Sequence, residues 1–126
     1  MTFSPPAAAE QRCAILSSPP EKLVKLLYEA ALEHLEKCRL ALMAPGSARS
    51  PDVGLSLSRA MGILGELRAS LDHDAGGQVA RDLDRLYEFS LDQLSQANLT
   101  RTPSGIENTL QVMRTLQEGW DGVILG

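Results

Sequence analysis

Few residues in this 126-residue chain can do chemistry: two histidines and two cysteines, set among 16 acidic and 12 basic side chains. His34 and Cys38 stand four apart, which on a helix stacks them on one face. Two ligands do not close a zinc site, which takes three or four. Di-iron bundles use Glu-x-x-His, and that motif is absent: Ala31 and Ser70 occupy the positions three before His34 and His73. Neither a glycine-rich phosphate loop nor a nucleophile elbow occurs. Cys13 and Cys38 form no C-x-x-C pair, so both read as reduced thiols in a cytoplasmic protein, with Cys38 as a small core residue. One constellation remains. His34-Leu35-Glu36-Lys37-Cys38 places an imidazole one turn from an ammonium, as a phosphoryl-accepting histidine would need. No metal, cofactor or other catalytic group is expected.

The elements that must position these residues are helical. Leucine occurs 21 times and alanine 14 times, against 9 valines and isoleucines together. That balance leans all-α, since Leu and Ala favour helices and β-branched residues favour strands. Apolar residues at 44% and charged residues at 22% are ordinary globular proportions, and the length suits one domain with one core. The net charge of -4 offers no basic face to phosphates, so nucleic acid is not an expected partner. Every stretch of about twenty residues carries charge, so no membrane insertion is expected. MTFSPPAAAE has neither the basic nor the apolar region of a signal peptide.

Residues 1–17, with Pro5, Pro6 and an alanine run, read as a mobile N-terminal arm whose one bulky apolar pair is Ile15-Leu16. Residues 18–126 read as an antiparallel up-and-down four-helix bundle. Ser18-Pro19-Pro20-Glu21 is a capping box opening a helix to Met43. Val24, Tyr28, Ala31, Leu35, Cys38 and Leu42 recur on it at 4-3-4-3-4 spacing, a bundle seam. Leu23, Leu27, Ala30 and His34 make a second seam beside the first.

A Pro- and Gly-containing loop at 44–51 precedes a second helix over 53–72, capped by Asp52 or Ser56. Leu57, Met61, Leu64 and Leu71 form one stripe on it, and Ala60, Ile63 and Leu67 another. Gly62 and Gly65 inside it are expected where another backbone comes close. His73–Gly77 reads as a turn. A third helix over 78–98 carries Val79, Leu83, Leu86, Ser90, Leu94 and Ala97 as its core stripe, flanked by Tyr87 and Leu91. A second capping box, Ser104-x-x-Glu107, opens a fourth helix bearing Ile106, Leu110, Met113, Trp120 and Ile124. Connections this short suggest antiparallel neighbours. Tyr87 and Trp120 read as core or groove aromatics.

Besides a structural or oligomerising bundle that only self-associates, two functional classes fit. A histidine phosphotransfer domain would use His34 with Lys37, although Cys38 stands where that class carries a glycine. The other class is a binding module. Ser18 through Ala31, reading SPPEKLVKLLYEAA, resembles the opening SPxELxxxLYDGA of the FliS family of flagellar export chaperones. Glu66–Asp72 is similar to the family's ELRxSLD motif and is followed by Gly76-Gly77. Leu86-Tyr87-Glu88-Phe89 resembles its LYDYM, and Gln96-Ala97-Asn98 the end of its third helix. The five pieces occur in order at family spacing, over about residues 15–98.

The resemblance implies a non-enzymatic chaperone of the bacterial cytosol. Its implied client is flagellin, whose disordered C-terminal segment it would hold, preventing premature polymerisation before type III export. The flagellar export apparatus is an implied second partner, and a homodimer is compatible with it. The chain departs from the family in lacking a tyrosine before Tyr28, in Ala30 for a common glycine, and in Pro19 and Ala69 for common serines. The first three helices carry more apolar positions than one core stripe needs, which suits a groove for an amphipathic segment. From motif and surplus together, the expected partner-binding residues are Ile15, Leu16, Leu23, Leu27, Ile63, Leu67, Tyr87 and Leu91.

Overall fold

Apolar repeats of three and four residues, broken by Pro, Gly and Ser, set out four helices, and the structure holds four. The computed structural model describes the backbone of residues 20–125 and the side chains of residues 22–121. The helices are α1 (Pro20–Met43), α2 (Pro51–Ala69), α3 (His73–Thr100) and α4 (Ser104–Leu125). No strand occurs among the described residues. Connections at 44–50, 70–72 and 101–103 are too short for crossovers, so successive helices run antiparallel. Each helix packs on its chain neighbours and α4 closes on α1. The result is a four-helix bundle in which α1 faces α3, and α2 faces α4, across the diagonals. Ile15, Leu16, Cys13 and the Ser18 cap lie outside the described residues.

Each helix gives one stripe to the core. Tyr28, Ala31, Leu35 and Cys38 come from α1, and Val53, Leu57, Ala60, Leu64 and Leu67 from α2. Ile106, Leu110 and Met113 come from α4. The α1 seam is the one its spacing dictates. On α3 the buried positions are Ala80, Leu83, Tyr87, Ser90, Leu94 and Ala97, so Ala80 and Tyr87 replace the expected Val79 and Leu86. Spacings of three and four from Leu83 admit Ala80 and Tyr87 as readily as Val79 and Leu86, and packing against the other helices selects the former pair. Gly77, at φ 53 and ψ -125, kinks the helix just before this stretch.

Helix ends also differ from the sequence reading. Ser50, rather than Asp52 or Ser56, caps α2: Pro51 fits the first helical position and the Asp52 amide donates to Ser50 Oγ at 3.2 Å. The same helix stops at Ala69 because the Ser70 hydroxyl and amide fold back on the Leu67 and Glu66 carbonyls, at 2.8 and 3.0 Å. His73–Gly77 is not a free turn. The Asp72 carboxylate accepts from the Asp74 and Ala75 amides at 3.1 and 3.0 Å and starts α3 there. Ser104 is already helical, as the first residue of α4.

At the far end Arg101 takes a left-handed conformation, φ 55 and ψ 40, and its amide closes α3 on Ala97. Its guanidinium donates to the Ala48 and Ser50 carbonyls at 3.3 and 3.0 Å, tying the α3–α4 turn to the α1–α2 loop.

The expected close approach at Gly62 and Gly65 is absent, since a Cβ on either would meet nothing within 4 Å. The close approach is at Gly105, where a Cβ would lie 2.5 Å from the Gln93 carbonyl oxygen of α3. Gly105→Ala is therefore expected to destabilise the fold by about 1–3 kcal/mol. Gly62→Ala, on an open helix surface, is expected to stabilise it by up to about 1 kcal/mol. Urea unfolding midpoints of the two variants should move in opposite directions.

Candidate functional site

Antiparallel order brings the beginnings of α1 and α3 and the ends of α2 and α4 to one end of the bundle. Among the described residues the core there is incomplete. An open pocket of about 380 Å³ is walled by Val24 of α1, Leu67 and Leu71 of α2, Leu83 and Tyr87 of α3, and Trp120 of α4. Its α2–α3 corner consists of Ser70, Asp72, Ala75, Gly76 and Ala80, most of them side chains too short to fill the space. Gly76 must stay small, because a Cβ there would meet the Ala80 Cβ at 2.8 Å. A cavity of roughly 150 Å³ lined by Leu, Ile and Phe holds a benzene ring, so this pocket has room for two or more aliphatic side chains. Val79 extends the apolar border outward and is 65% exposed.

The inner wall is anchored. The hydroxyls of Tyr28 and Tyr87 meet at 2.6 Å across the α1–α3 diagonal, and either can donate. Burial raises both phenols above their ordinary pKa, so both stay neutral. The Trp120 N–H is buried beside both hydroxyls, close enough to oppose the rise of each phenol's pKa but without a well-formed hydrogen bond among the described residues. Beside the pocket, Arg68 of α2 bridges Asp84 and Glu88 of α3 at 2.7 and 3.0 Å. The Arg68 hydrogen bond holds the Asp84 carboxyl below its usual pKa. Such exposed pairs add little stability and serve mainly to align the two helices.

The sequence-predicted contact residues divide. Leu67 and Tyr87 come together as pocket walls, but both are buried, at 3% and 2% exposure, and belong to the core as well. Leu27, Ile63 and Leu91 are half-buried and pack on the core, and Leu23 is half-buried on α1. None of these four borders the pocket. Val24, Leu71, Val79 and Trp120 do, and they were not among the expected contacts. Val24, Val79, Leu71 and Trp120 each fell on a core stripe, and periodicity alone does not show where a stripe runs past the last filled layer.

His34 is half-buried on α1, away from the pocket. No group of three His, Cys, Asp or Glu is placed to hold a metal ion among the described residues. The Cys38 Sγ points at the Val53 carbonyl at 3.7 Å, and burial pushes its pKa up, as suits a core thiol. Burial, then the Arg59 and Lys37 charges, lower the His34 pKa against the opposing pull of Glu33. A lowered histidine pKa means the unfolded chain takes up the proton first as pH falls. The neutral ring's stability is present above about pH 6.5 and is lost on acidification through the folded pKa. Urea titrations between about pH 7.5 and 5.5 should show stability falling, and the fall should be shallower in His34→Gln.

Comparison with known proteins identifies the family. The family model described as flagellar protein FliS matches residues 4–125. The chain is 35% identical over 104 residues to the flagellar secretion chaperone FliSB of Pseudomonas aeruginosa, spanning 82% of this chain and 80% of that one. It is 31% identical to flagellar secretion chaperone FliS of Vibrio cholerae, over 82% of this chain and 74% of that one. It is 32% identical to the Salmonella typhimurium chaperone of the same name, over 85% and 78%. No helix among the described residues is long and apolar enough to cross a membrane. With a family match over nearly its whole length, the chain belongs to the FliS family of flagellar secretion chaperones, a family of binding proteins rather than enzymes.

Proposed function

We propose that this chaperone holds the disordered C-terminal segment of flagellin in the bacterial cytosol, prevents its premature polymerisation, and presents it to the flagellar export apparatus. The observation that supports this reading is the unfilled apolar pocket at the α2–α3 corner, with Val79 on its rim. A segment that coils into an amphipathic helix brings aliphatic side chains at i and i+3 or i+4 to one face. Two such side chains match the volume of the pocket. Ordering the segment costs conformational entropy, so the pocket acts as an anchor within a longer contact that runs over the half-buried Leu23, Leu27, Ile63 and Leu91. α1 begins at this same end, and Ile15 and Leu16, which precede it in the sequence, are proposed to add contacts. The names of the relatives favour client holding over phosphoryl transfer at His34.

Calorimetry with the flagellin C-terminal segment from the same organism tests this. Wild type should bind it, and Val79→Glu should weaken binding by about tenfold or more. The residue is exposed, so the thermal midpoint should hold. Ala75→Leu, on an exposed corner position, should fill the pocket with the same effect. Leu99→Glu is the control. Leu99 is 77% exposed and lies about 30 Å along α3 from Val79, and its substitution should change nothing. Absence of binding by wild type at high micromolar client would overturn the reading.

A further inference from the structure

Resting on the client-binding reading above, we infer that Tyr28, which does not border the pocket, is the positioning residue that keeps it open. The atoms lining an empty apolar space forfeit the dispersion contacts they would make with a filled one. Any wall free to move therefore closes on it. Leu67 and Leu83 are fixed by the core around them. Tyr87 is an aromatic ring with its flank on the void, and what holds its outer end is the 2.6 Å bond to the Tyr28 hydroxyl. That bond reaches across the diagonal, where the α1 and α3 backbones make no direct approach. Two phenylalanines would pack there at nearly the same stability, because one hydrogen bond between two buried hydroxyls contributes little net free energy. What the hydroxyl pair adds is a preferred ring position, since the bond holds only over a narrow range of distance and angle. Trp120, packed on the core with its indole beside both hydroxyls, forms the α4 wall of the same pocket.

The experiment compares wild type, Tyr28→Phe, Tyr87→Phe and the double variant. Each single variant strands one buried hydroxyl and should lower the unfolding midpoint, whereas the double variant strands none and should recover it. Affinity for the flagellin C-terminal segment should fall roughly tenfold in all three and should stay low in the double variant. Recovery of affinity together with stability in the double variant would reduce Tyr28 to a structural role and overturn the inference.

A readout without client separates the two readings. Trp120 is the chain's one tryptophan, so acrylamide quenching of its emission reports access through the pocket. Quenching should drop in the double variant as Tyr87 leans inward. If wild type binds no client yet quenching drops, the client reading falls and the positioning role stands. If quenching is unchanged, the positioning role falls.

Discussion

The Tyr28 and Tyr87 hydroxyls meet in a core made otherwise almost wholly of Leu, Ala, Val, Ile and Met, and each serves the other as hydrogen-bond partner. An unpaired hydroxyl at either position would carry a desolvation cost of about 1–3 kcal/mol. The bond therefore couples the two rings across the α1–α3 diagonal. The layers on one side of it, through Leu35, Leu57, Leu94 and Ile106, are filled. On the other side the α2–α3 corner contributes only small side chains, and the pocket begins there. The tyrosine pair is the boundary between a sealed core and an open one.

That boundary depends on how the corner is built. Ser70 ends α2 by folding back on its own last carbonyls, and Asp72 starts α3 two residues later. A connection this tight leaves no loop to lie over the end of the bundle. Gly77 then turns the chain through a conformation that favours glycine, and the rest of α3 follows with Tyr87 inward and Val79 outward. The α2–α3 corner therefore both omits the bulk that would fill the pocket and supplies its exposed apolar rim. The opposite end has no such latitude. Arg101 ties two connections together there, and Gly105 brings α4 down onto the Gln93 carbonyl.

Much of this was legible in the residues. The α1 seam could be read directly, because no Gly or Pro interrupts Tyr28, Ala31, Leu35 and Cys38. The family could be read because its motifs lie on these same helices. The phase of α3 could not, since spacings of three and four from Leu83 fit Ala80 and Tyr87 as well as Val79 and Leu86, and only packing against the other helices decides between them. Gly62 and Gly65 drew attention for a close approach that Gly105 makes instead. A glycine's partner lies on another helix, and local spacing carries no information about it. The pocket was hidden for a related reason. It is defined by the absence of bulk at Ser70, Ala75, Gly76 and Ala80, contributed by the α2–α3 corner and enclosed by Val24 and Trp120 from two other helices. Leu67 and Tyr87, named from their motifs and the apolar surplus, line the pocket and are buried in the core as well.

Exposure alone would have chosen a different site. Leu40, Met43, Leu55 and Leu99 are all at least half exposed, more open than Val24 or Leu71. Isolated apolar side chains are common on folded surfaces and give a partner little to hold. A convex leucine loses only the water on its outer face when a partner covers it. A concave wall surrounds the incoming side chain and removes water from nearly all of it, so the same apolar area yields a deeper and more selective contact. On the proposed reading, the shortage of bulk at the α2–α3 corner therefore matters more for recognition than the larger apolar exposure elsewhere, because a client side chain would be enclosed in the layer that the described residues leave unfilled.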